Sequence, residues 1–447
     1  MTTNDTVFPD MLRSMFASAL SHMYQSEVPQ YGTLLKLVSD INHQTNQKLQ
    51  HRIEVERHGA IRLGTAAELA TIRRLFSVMG MYPVGYYDLA VAGLPVHATC
   101  FRPLIEESLA HNPFRVFTSL LRLELIQDKS LRSKATEILN SRTIFTPRCM
   151  ELIEEYESNQ RCFTSTVAEE FIKEAVETFR WHKTSTVDIT TYKELQALHP
   201  LIADVVCFKG PHINHLTPRV IDIQAAQSSM VLYGLQPKET IEGPPARNCP
   251  VLLRQTSFIA LNEAIAFSNG KETGGSHRAR FGEIEQRGMA LTPKGRQLYD
   301  DLIAKWRRDT AIFKPSADPM VMHELLVETF REFPDDLETL WAEGLAYFIY
   351  RPAAGVSIKG DVHDIKSLVK SGAVELQPIT YEDFLPVSAA GIFHSNLGQE
   401  DGDDQVAAAD QGSFEKALGG KIHNEFELYE EMQENSILNC VGDRGRV

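Results

Sequence analysis

Apolar side chains near the N-terminus recur at the i, i+3, i+4 and i+7 spacing of an amphipathic helix. The positions concerned are Phe8, Met11, Leu12, Met15, Phe16, Ala19, Leu20 and Met23. The pattern predicts an N-terminal helical segment over residues 1–45. Because the stripe carries no candidate chemistry, we expect it only to pack against the rest of the chain.

Residues 46–105 follow a different pattern, in which a strand leads into a helix and then into further strands. Alternation over residues 57–63 places His58 and Arg62 on the same face of the first strand. The helix begins at a capping box that starts at Thr65. The strands predicted after the helix cover residues 86–91 and 95–101. We interpret this segment as one βαβββ module.

Residues 206–292 repeat this order of elements. A strand over residues 213–217 carries His215, and a helix runs from Ile221 to Gly234. The strands predicted after it cover residues 239–242, 251–258 and 280–286. In both segments a histidine stands on the first strand and a Gly-x-x-Pro sequence closes the helix, which predicts a second βαβββ module. Chance similarity is the alternative, because Gly and Pro end many unrelated helices.

The remaining segments are predicted to be mainly helical. Residues 106–205 form a helical insertion, and residues 293–447 form a mostly helical C-terminal region that returns to the active site near residues 385–397. The helices predicted in the insertion cover residues 117–125, 131–139 and 167–179. Residues 398–412 are acidic and predict a solvated loop. The expected fold class is α+β, with two modules that form a central curved sheet around a metal.

Composition narrows the class of protein. A chain of 447 residues exceeds the usual size of a single hydrophobic core, which favours several sub-domains. The net charge of −14, without a basic stripe, argues against a nucleic-acid partner. A membrane span is not expected, because uninterrupted apolar runs of about 18 residues are missing from the sequence. The six cysteines form no CxxC pair, which is typical of reduced thiols in a cytoplasmic protein.

Three residues of the two modules are candidates for binding a metal. His58 and His215 each lie on the first strand of a module, and Glu283 lies on the last strand of the second. If the modules pair face to face, these strands meet at the centre and the three side chains converge. Two imidazoles and one carboxylate form the facial set of non-haem iron(II) oxygenases. The alternatives are a solvated edge strand beside satisfied histidines, and a zinc site with the same ligands.

Several strings at these residues resemble known proteins. The chain resembles the vicinal oxygen chelate superfamily, in particular hydroxyphenylpyruvate dioxygenase and hydroxymandelate synthase. The resemblance lies in the module order, in the histidines on the first strands and in the string Phe-x-Glu-Ile-x-Gln-Arg. Between residues 10 and 397 the chain more closely resembles the 2-oxoadipate dioxygenase/decarboxylase family. The strings that carry this resemblance are His58-Gly-Ala-Ile-Arg62, Val96-His97-Ala98-Thr99, His212-Ile-Asn-His215-Leu-Thr-Pro-Arg219, Arg254-Gln-Thr-Ser257, Phe281-Gly-Glu283-Ile-Glu-Gln-Arg287 and Leu385-Pro-Val-Ser388-Ala-Ala-Gly.

This resemblance implies roles for particular residues. It implies iron(II) ligands at His58, His215 and Glu283, and substrate contacts at Arg62, Val387 and Ser388. Arg62 lies about 13 Å along its strand from His58 at about 3.3 Å per residue. A guanidinium that reaches back could therefore bind the far carboxylate of a dicarboxylic acid. The alternative is an ion pair of Arg62 with an acid such as Glu285. His212 and Glu285 are the nearest competing metal ligands, and no role is predicted for His97.

The activity implied by the resemblance is the conversion of 2-oxoadipate and O2 to 2-hydroxyglutarate and CO2 by an iron(II) enzyme, a late step of lysine breakdown. The partners implied are a small 2-oxo dicarboxylic acid and O2. Two alternatives stay open. One is an extradiol-type or other 2-oxo acid dioxygenase on the same fold, and the other is a metal-free small-molecule-binding protein.

Overall fold

The computed structural model describes residues 6–46, 50–159, 161–258, 262–267, 273–278, 280–311, 318–355, 365–385 and 410–441. The chain divides into two compact units. The first comprises residues 1–238, 255–285 and 384–423, and the second comprises residues 239–254, 286–383 and 424–447. The described residues form both helices and strands, so the α+β class predicted from the sequence is confirmed at this level.

Helices account for much of the first unit. Its described helices are Pro9–Glu27, Pro29–Thr45, His51–Val55, Ala66–Val78, Glu106–His111, Lys129–Ser141, Pro147–Ser158, Ser165–Glu177, Ile189–Leu198, Pro200–Val206, Ile223–Ser229 and Gln411–Leu418, with 3₁₀ turns at Ala90–Ala92, Leu123–Leu125 and Met230–Tyr233. The predicted N-terminal helix is Pro9–Glu27, and its apolar stripe is buried at Leu12, Phe16 and Leu20. These side chains join the main core of the first unit.

The described strands are numbered here in chain order. They are β1 (Thr6–Val7), β2 (Arg57–Leu63), β3 (Tyr82–Asp88), β4 (Val96–Arg102), β5 (Arg115–Leu121), β6 (Phe163–Thr164), β7 (Leu216–Pro218), β8 (Leu253–Ser257), β9 (Asn262–Ala266), β10 (Thr273–Arg278), β11 (Glu283–Arg287), β12 (Phe348–Pro352) and β13 (Val374–Pro378). Within the described residues, the largest sheet has five strands in the order β3-β4-β5-β2-β7. The two-stranded sheets are β1-β6, β8-β11, β9-β10 and β12-β13.

Strand β2 lies inside the five-stranded sheet and carries His58. It runs parallel to β5, where His58 is opposite Arg115, and antiparallel to β7, where His58 is opposite Thr217. The helix after β2 begins at the predicted capping box, in which Thr65 and Glu68 each accept a hydrogen bond from the other's backbone. Gly80 follows this helix with a φ of 66°, the left-handed conformation that favours glycine at a helix end. One strand, one helix and three further strands therefore follow one another over residues 57–121, with the short helix Glu106–His111 before the last strand. This last strand lies beyond residue 105, where the predicted module ends.

Two secondary-structure predictions are wrong. Residues 117–125 were expected to be helical, but Arg115–Leu121 is strand β5. Every residue of β5 is buried, so the strand lacks the alternation that distinguishes a strand from a buried helix. Residues 239–242 were expected to be a strand and form none. They are followed by Gly243-Pro244-Pro245, and proline cannot donate to a strand ladder.

The second unit has its own helices and a two-stranded antiparallel sheet. Its described helices are Pro293–Thr310, Pro319–Thr329, Leu337–Ala342, Ile365–Lys370 and Glu425–Val441, with a 3₁₀ turn at Phe330–Glu332. Strands β12 and β13 pair antiparallel, with Tyr350 opposite Leu376. None of the described helices in either unit has the length and apolar character needed to cross a membrane.

Candidate metal centre

Three neighbouring backbone segments carry the residues predicted to bind the metal. His58 lies on β2, and His215 lies immediately before β7, which pairs antiparallel with β2. The segment after β7 forms a parallel bridge from Arg219 to Glu285, two residues beyond Glu283. The side chains therefore reach one place from segments that are more than 60 residues apart in sequence.

The three side chains lie close together. His58, His215 and Glu283 each offer a ligand atom, and these atoms all lie within 4.8 Å of one another. His58 Nε2 is 3.3 Å from Glu283 Oε1, and the two imidazole rings are 5.2 Å apart at their centroids. All three residues are buried, with exposed fractions of 1%, 5% and 0%. In the part of the chain that the structure describes, they form the one group of three or more such side chains close enough to hold a metal ion.

Unpartnered polar atoms at this place fit a bound cation. Among the described residues, neither ring nitrogen of His215 has a hydrogen-bond partner, and Oε2 of Glu283 has none. Burying such groups without partners costs free energy. The other oxygen of Glu283 accepts hydrogen bonds from Gln255 Nε2 at 2.7 Å and Thr217 Oγ1 at 3.1 Å. These bonds fix the carboxylate and leave Oε2 for a ligand.

The electrostatic surroundings also favour cation binding. Burial lowers the pKa of His215 to about 4, although the carboxylate of Glu283 acts in the opposite direction. Burial tends to raise the pKa of Glu283, but His215 and His58 outweigh it and hold that pKa below its usual value. Neutral imidazole and ionised carboxylate are the forms that bind metals. His215 and Glu283 are therefore in their metal-binding forms at neutral pH.

Glu285, a competing ligand in the sequence analysis, lies behind His58 instead. Its Oε2 is 2.9 Å from His58 Nδ1, on the opposite side of the ring from Glu283. Burial opposes charge on His58, yet Glu285 and Glu283 outweigh it and raise the His58 pKa. Arg115 Nη1 lies 3.8 Å from Glu285 and its Nη2 donates to Glu56 at 2.7 Å. Glu285, Arg115 and Glu56 thus form a buried row of alternating charges on the Nδ1 side of His58. This row supports the histidine on the side away from Glu283.

Aromatic rings border the two histidines. Phe384 contacts His58 with ring centroids 4.9 Å apart, and Phe281 contacts His215 at 4.7 Å. Phe117 of β5 packs edge-on against Phe384 at 5.2 Å. All three rings are buried. Sequence reasoning missed Phe384, although it directly precedes the Leu385-Pro-Val-Ser string.

Arg62 is buried on β2 with its guanidinium paired to an acid. Nη1 of Arg62 donates to Asp204 Oδ2 at 2.5 Å. The acid proposed as its alternative partner, Glu285, faces His58 instead. His212 also lies beside Asp204, with its Nε2 3.3 Å from Oδ1. The predicted substrate residues Val387 and Ser388 lie outside the described residues, as does most of the acidic segment 398–412.

A model of the 2-oxoadipate dioxygenase/decarboxylase family matches residues 16–396 of the chain. The chain belongs to this family. Members of the 2-oxoadipate dioxygenase/decarboxylase family are enzymes, and the chain is accordingly an enzyme.

Full-length relatives carry the same family name. Proteins named 2-oxoadipate dioxygenase/decarboxylase from Escherichia coli (strain K12) and Pseudomonas putida are 54% and 50% identical to this chain. The first alignment covers 98% of this chain and 99% of the relative, and the second covers 99% and 98%. A crystal structure of the hydroxyglutarate synthase in complex with 2-oxoadipate from Pseudomonas putida is 50% identical, with a TM-score of 0.89, over 98% of this chain and 99% of that chain.

His97 has a packing role in this member of the family. It is buried on β4, where its ring lies 4.6 Å from Phe414 and its Nδ1 lies 3.3 Å from the hydroxyl of Tyr86. Burial lowers the pKa of His97 to about 4. Its ring contact with Phe414 connects β4 to the helix Gln411–Leu418.

Replacing Glu285 by glutamine is expected to weaken metal binding by about 10- to 100-fold, because carboxylates that orient ligating histidines contribute that much. Competition with a chelator of known affinity measures the change. Glu68→Gln is the matched control, since Glu68 is also buried and pairs with Arg142 at 2.7 Å. Equal metal affinity in the Glu285 variant and the wild type would show that Glu285 does not support His58.

Proposed function

We propose that this enzyme is an iron(II)-dependent 2-oxoadipate dioxygenase/decarboxylase in which His58, His215 and Glu283 hold the metal. One 2-oxoadipate and one O2 give one 2-hydroxyglutarate and one CO2. The observation that carries the proposal is the buried group of two imidazoles and one carboxylate, with unpartnered atoms on His215 and Glu283. A role in lysine breakdown, in the cytoplasm, belongs to the same proposal.

The ligand set favours iron over zinc for this reaction. Two imidazoles and one carboxylate on one side of an ion leave adjacent positions open, as in non-haem iron(II) oxygenases. Zinc binds the same side chains but has no redox chemistry. Iron(II), when bound, supplies the redox chemistry that couples the reduction of O2 to decarboxylation.

The side chains of this protein have three tasks in the proposed reaction. Glu283 places one negative charge beside the cation, oriented by Gln255 and Thr217. Arg62 binds the far carboxylate of the substrate, so that the 2-oxo end faces the metal ligands. Phe384 and Phe281 border the histidines and exclude water, which strengthens electrostatic interactions inside the site. Val387 and Ser388 are proposed to contact the substrate as well.

The size and charge of the substrate are consistent with this placement. Arg62 and His58 are four residues apart on the same face of β2, which separates their Cα atoms by about 13 Å. A six-carbon dicarboxylic acid can extend between a metal at His58 and a long guanidinium that reaches toward it. Asp204 already supplies Arg62 with a carboxylate, so the guanidinium alone does not exclude a neutral catechol. The family match makes the extradiol alternative less well supported.

Oxygen uptake by the metal-reconstituted protein tests this function. The protein is stripped with a chelator, loaded anaerobically with iron(II) or with zinc, and offered 2-oxoadipate, 2-oxoglutarate, 4-hydroxyphenylpyruvate or a catechol. We expect uptake with iron and 2-oxoadipate, matched one to one by CO2 and 2-hydroxyglutarate, and none with zinc. Iron-dependent uptake with the catechol alone, or binding of 2-oxoadipate without any uptake, would overturn the proposal.

A further inference from the structure

A buried cluster of polar side chains surrounds Asp204, the acid that pairs with Arg62. Asp204 lies on the helix Pro200–Val206 and is 3% exposed. Its Oδ2 accepts from Arg62 Nη1 at 2.5 Å, and its Oδ1 lies 2.8 Å from His277 Nε2 and 3.3 Å from His212 Nε2. Both carboxylate oxygens are therefore engaged.

The contacts continue beyond the two histidines. The hydroxyl of Tyr192 lies 2.9 Å from His277 Nδ1, so His277 is held at both ring nitrogens. The ring of Trp181 stacks on His277, with centroids 5.9 Å apart, and meets His212 edge-on at 4.6 Å. Such packing leaves the imidazoles little freedom to rotate. The two histidines therefore hold Asp204 at Oδ1, while Arg62 binds its other oxygen, Oδ2.

The charges in this cluster are compensated within it. Burial opposes ionisation of Asp204, but Arg62 and His212 outweigh it and hold its pKa well below the usual range. Burial lowers the pKa of His212, so this imidazole is neutral at neutral pH. Arg62 and Asp204 then form a pair of opposite charges. A guanidinium has five N–H donors and can bind two carboxylates at once, so the pair is compatible with a bound substrate carboxylate.

An arginine side chain loses rotamer entropy when it is fixed in one conformation. A residue that fixes it before the substrate arrives removes that cost from binding. We propose that Asp204 is a positioning residue, which holds the guanidinium of Arg62 ready for the far carboxylate and so sets the preference for dicarboxylic over monocarboxylic 2-oxo acids. This inference rests on the substrate role proposed for Arg62.

Binding and turnover of two acids of equal chain length test the inference. The holoenzyme is compared with Asp204→Asn for 2-oxoadipate and for 2-oxohexanoate, which lacks the far carboxylate. We expect Asp204→Asn to raise the Kd and KM for 2-oxoadipate by about 10-fold or more, as for a lost hydrogen bond to a charged group. The values for 2-oxohexanoate and kcat for either acid should change less than about 2-fold. Dissociation constants are measured without oxygen by calorimetry.

The same change made in an Arg62→Lys background separates positioning from a general structural role. If Asp204 acts through the arginine fork, Asp204→Asn should shift the 2-oxoadipate Kd there by less than about 2-fold, because coupled residues are not additive. Equal losses for both acids, or full additivity with Arg62→Lys, would overturn the inference. An inactive wild type would instead refute the proposed function.

A second variant covers the case in which Asp204→Asn does not fold. His277→Gln keeps both charges of the pair and removes one imidazole that holds Asp204. We expect a fall of about 2- to 10-fold in the preference for 2-oxoadipate over 2-oxohexanoate, in the range of one neutral hydrogen bond. An unchanged preference in this variant would contradict the positioning role.

Discussion

Replacing His215 by alanine is expected to release the metal and to abolish oxygen uptake with 2-oxoadipate. His215 contributes one of three proposed ligands, and both of its ring nitrogens lack hydrogen-bond partners among the described residues. Loss of a residue that merely orients a ligand weakens metal binding by about 10- to 100-fold, so loss of the ligand itself should exceed that. Metal content after desalting and the initial rate of oxygen uptake are the measurements.

The control for this experiment is His323→Ala, which removes an exposed histidine from the helix Pro319–Thr329. It should keep the wild-type metal content and rate. Iron(II) should also raise the unfolding temperature of the wild type and of His323→Ala, because a ligand that binds only the folded state stabilises it. His215→Ala should show no such rise. A His215 variant that keeps one equivalent of iron would contradict the proposed ligand set.

The second large effect is expected at Arg62. Arg62→Ala should lower kcat/KM for 2-oxoadipate by about 100-fold or more, because removing one partner of a buried charge pair costs about 2–5 kcal/mol or more. Metal content should remain that of the wild type. Steady-state rates are measured on iron(II)-loaded protein with 2-oxoadipate and with 2-oxohexanoate. The comparison separates a loss of binding to the far carboxylate from a general loss of activity.

Arg62→Lys is the matched control, because it keeps a cation beside Asp204 but loses the planar fork. We expect its kcat/KM for 2-oxoadipate to lie between those of the wild type and Arg62→Ala. The ratio of kcat/KM for 2-oxoadipate to kcat/KM for 2-oxohexanoate should fall from the wild type to Arg62→Lys and again to Arg62→Ala. If Arg62→Ala slows both acids equally, Arg62 does not bind the far carboxylate.

Much of the first unit could be predicted from local sequence. The stripe at Leu12, Phe16 and Leu20 predicted a helix that the structure confirms, and the capping box at Thr65 correctly placed the start of another. These features depend on residues three or four positions apart, and both the 3.6-residue period and the cap are local properties. Longer strings carried the family resemblance, which the comparisons confirm.

Strand β5 shows where local pattern is insufficient. Residues 115–121 are buried throughout, so their sequence shows no alternation between solvent and core. Pairing with β4 and with β2, whose partner residues lie 57 positions earlier in the chain, makes this segment a strand. The strand predicted at residues 239–242 is missing for a different reason, because the prolines that follow cannot donate to a strand ladder.

The family, the first helix and the residue types of the candidate site could be predicted from the sequence, because each depends on short runs of neighbouring residues. Which carboxylate faces which atom became known from the tertiary structure. It placed Glu283 beside His215, Glu285 behind His58 and Asp204 against Arg62. The physical reason is that Arg62 and Asp204 are 142 residues apart, and periodicity along the chain carries no information about contacts formed at that separation.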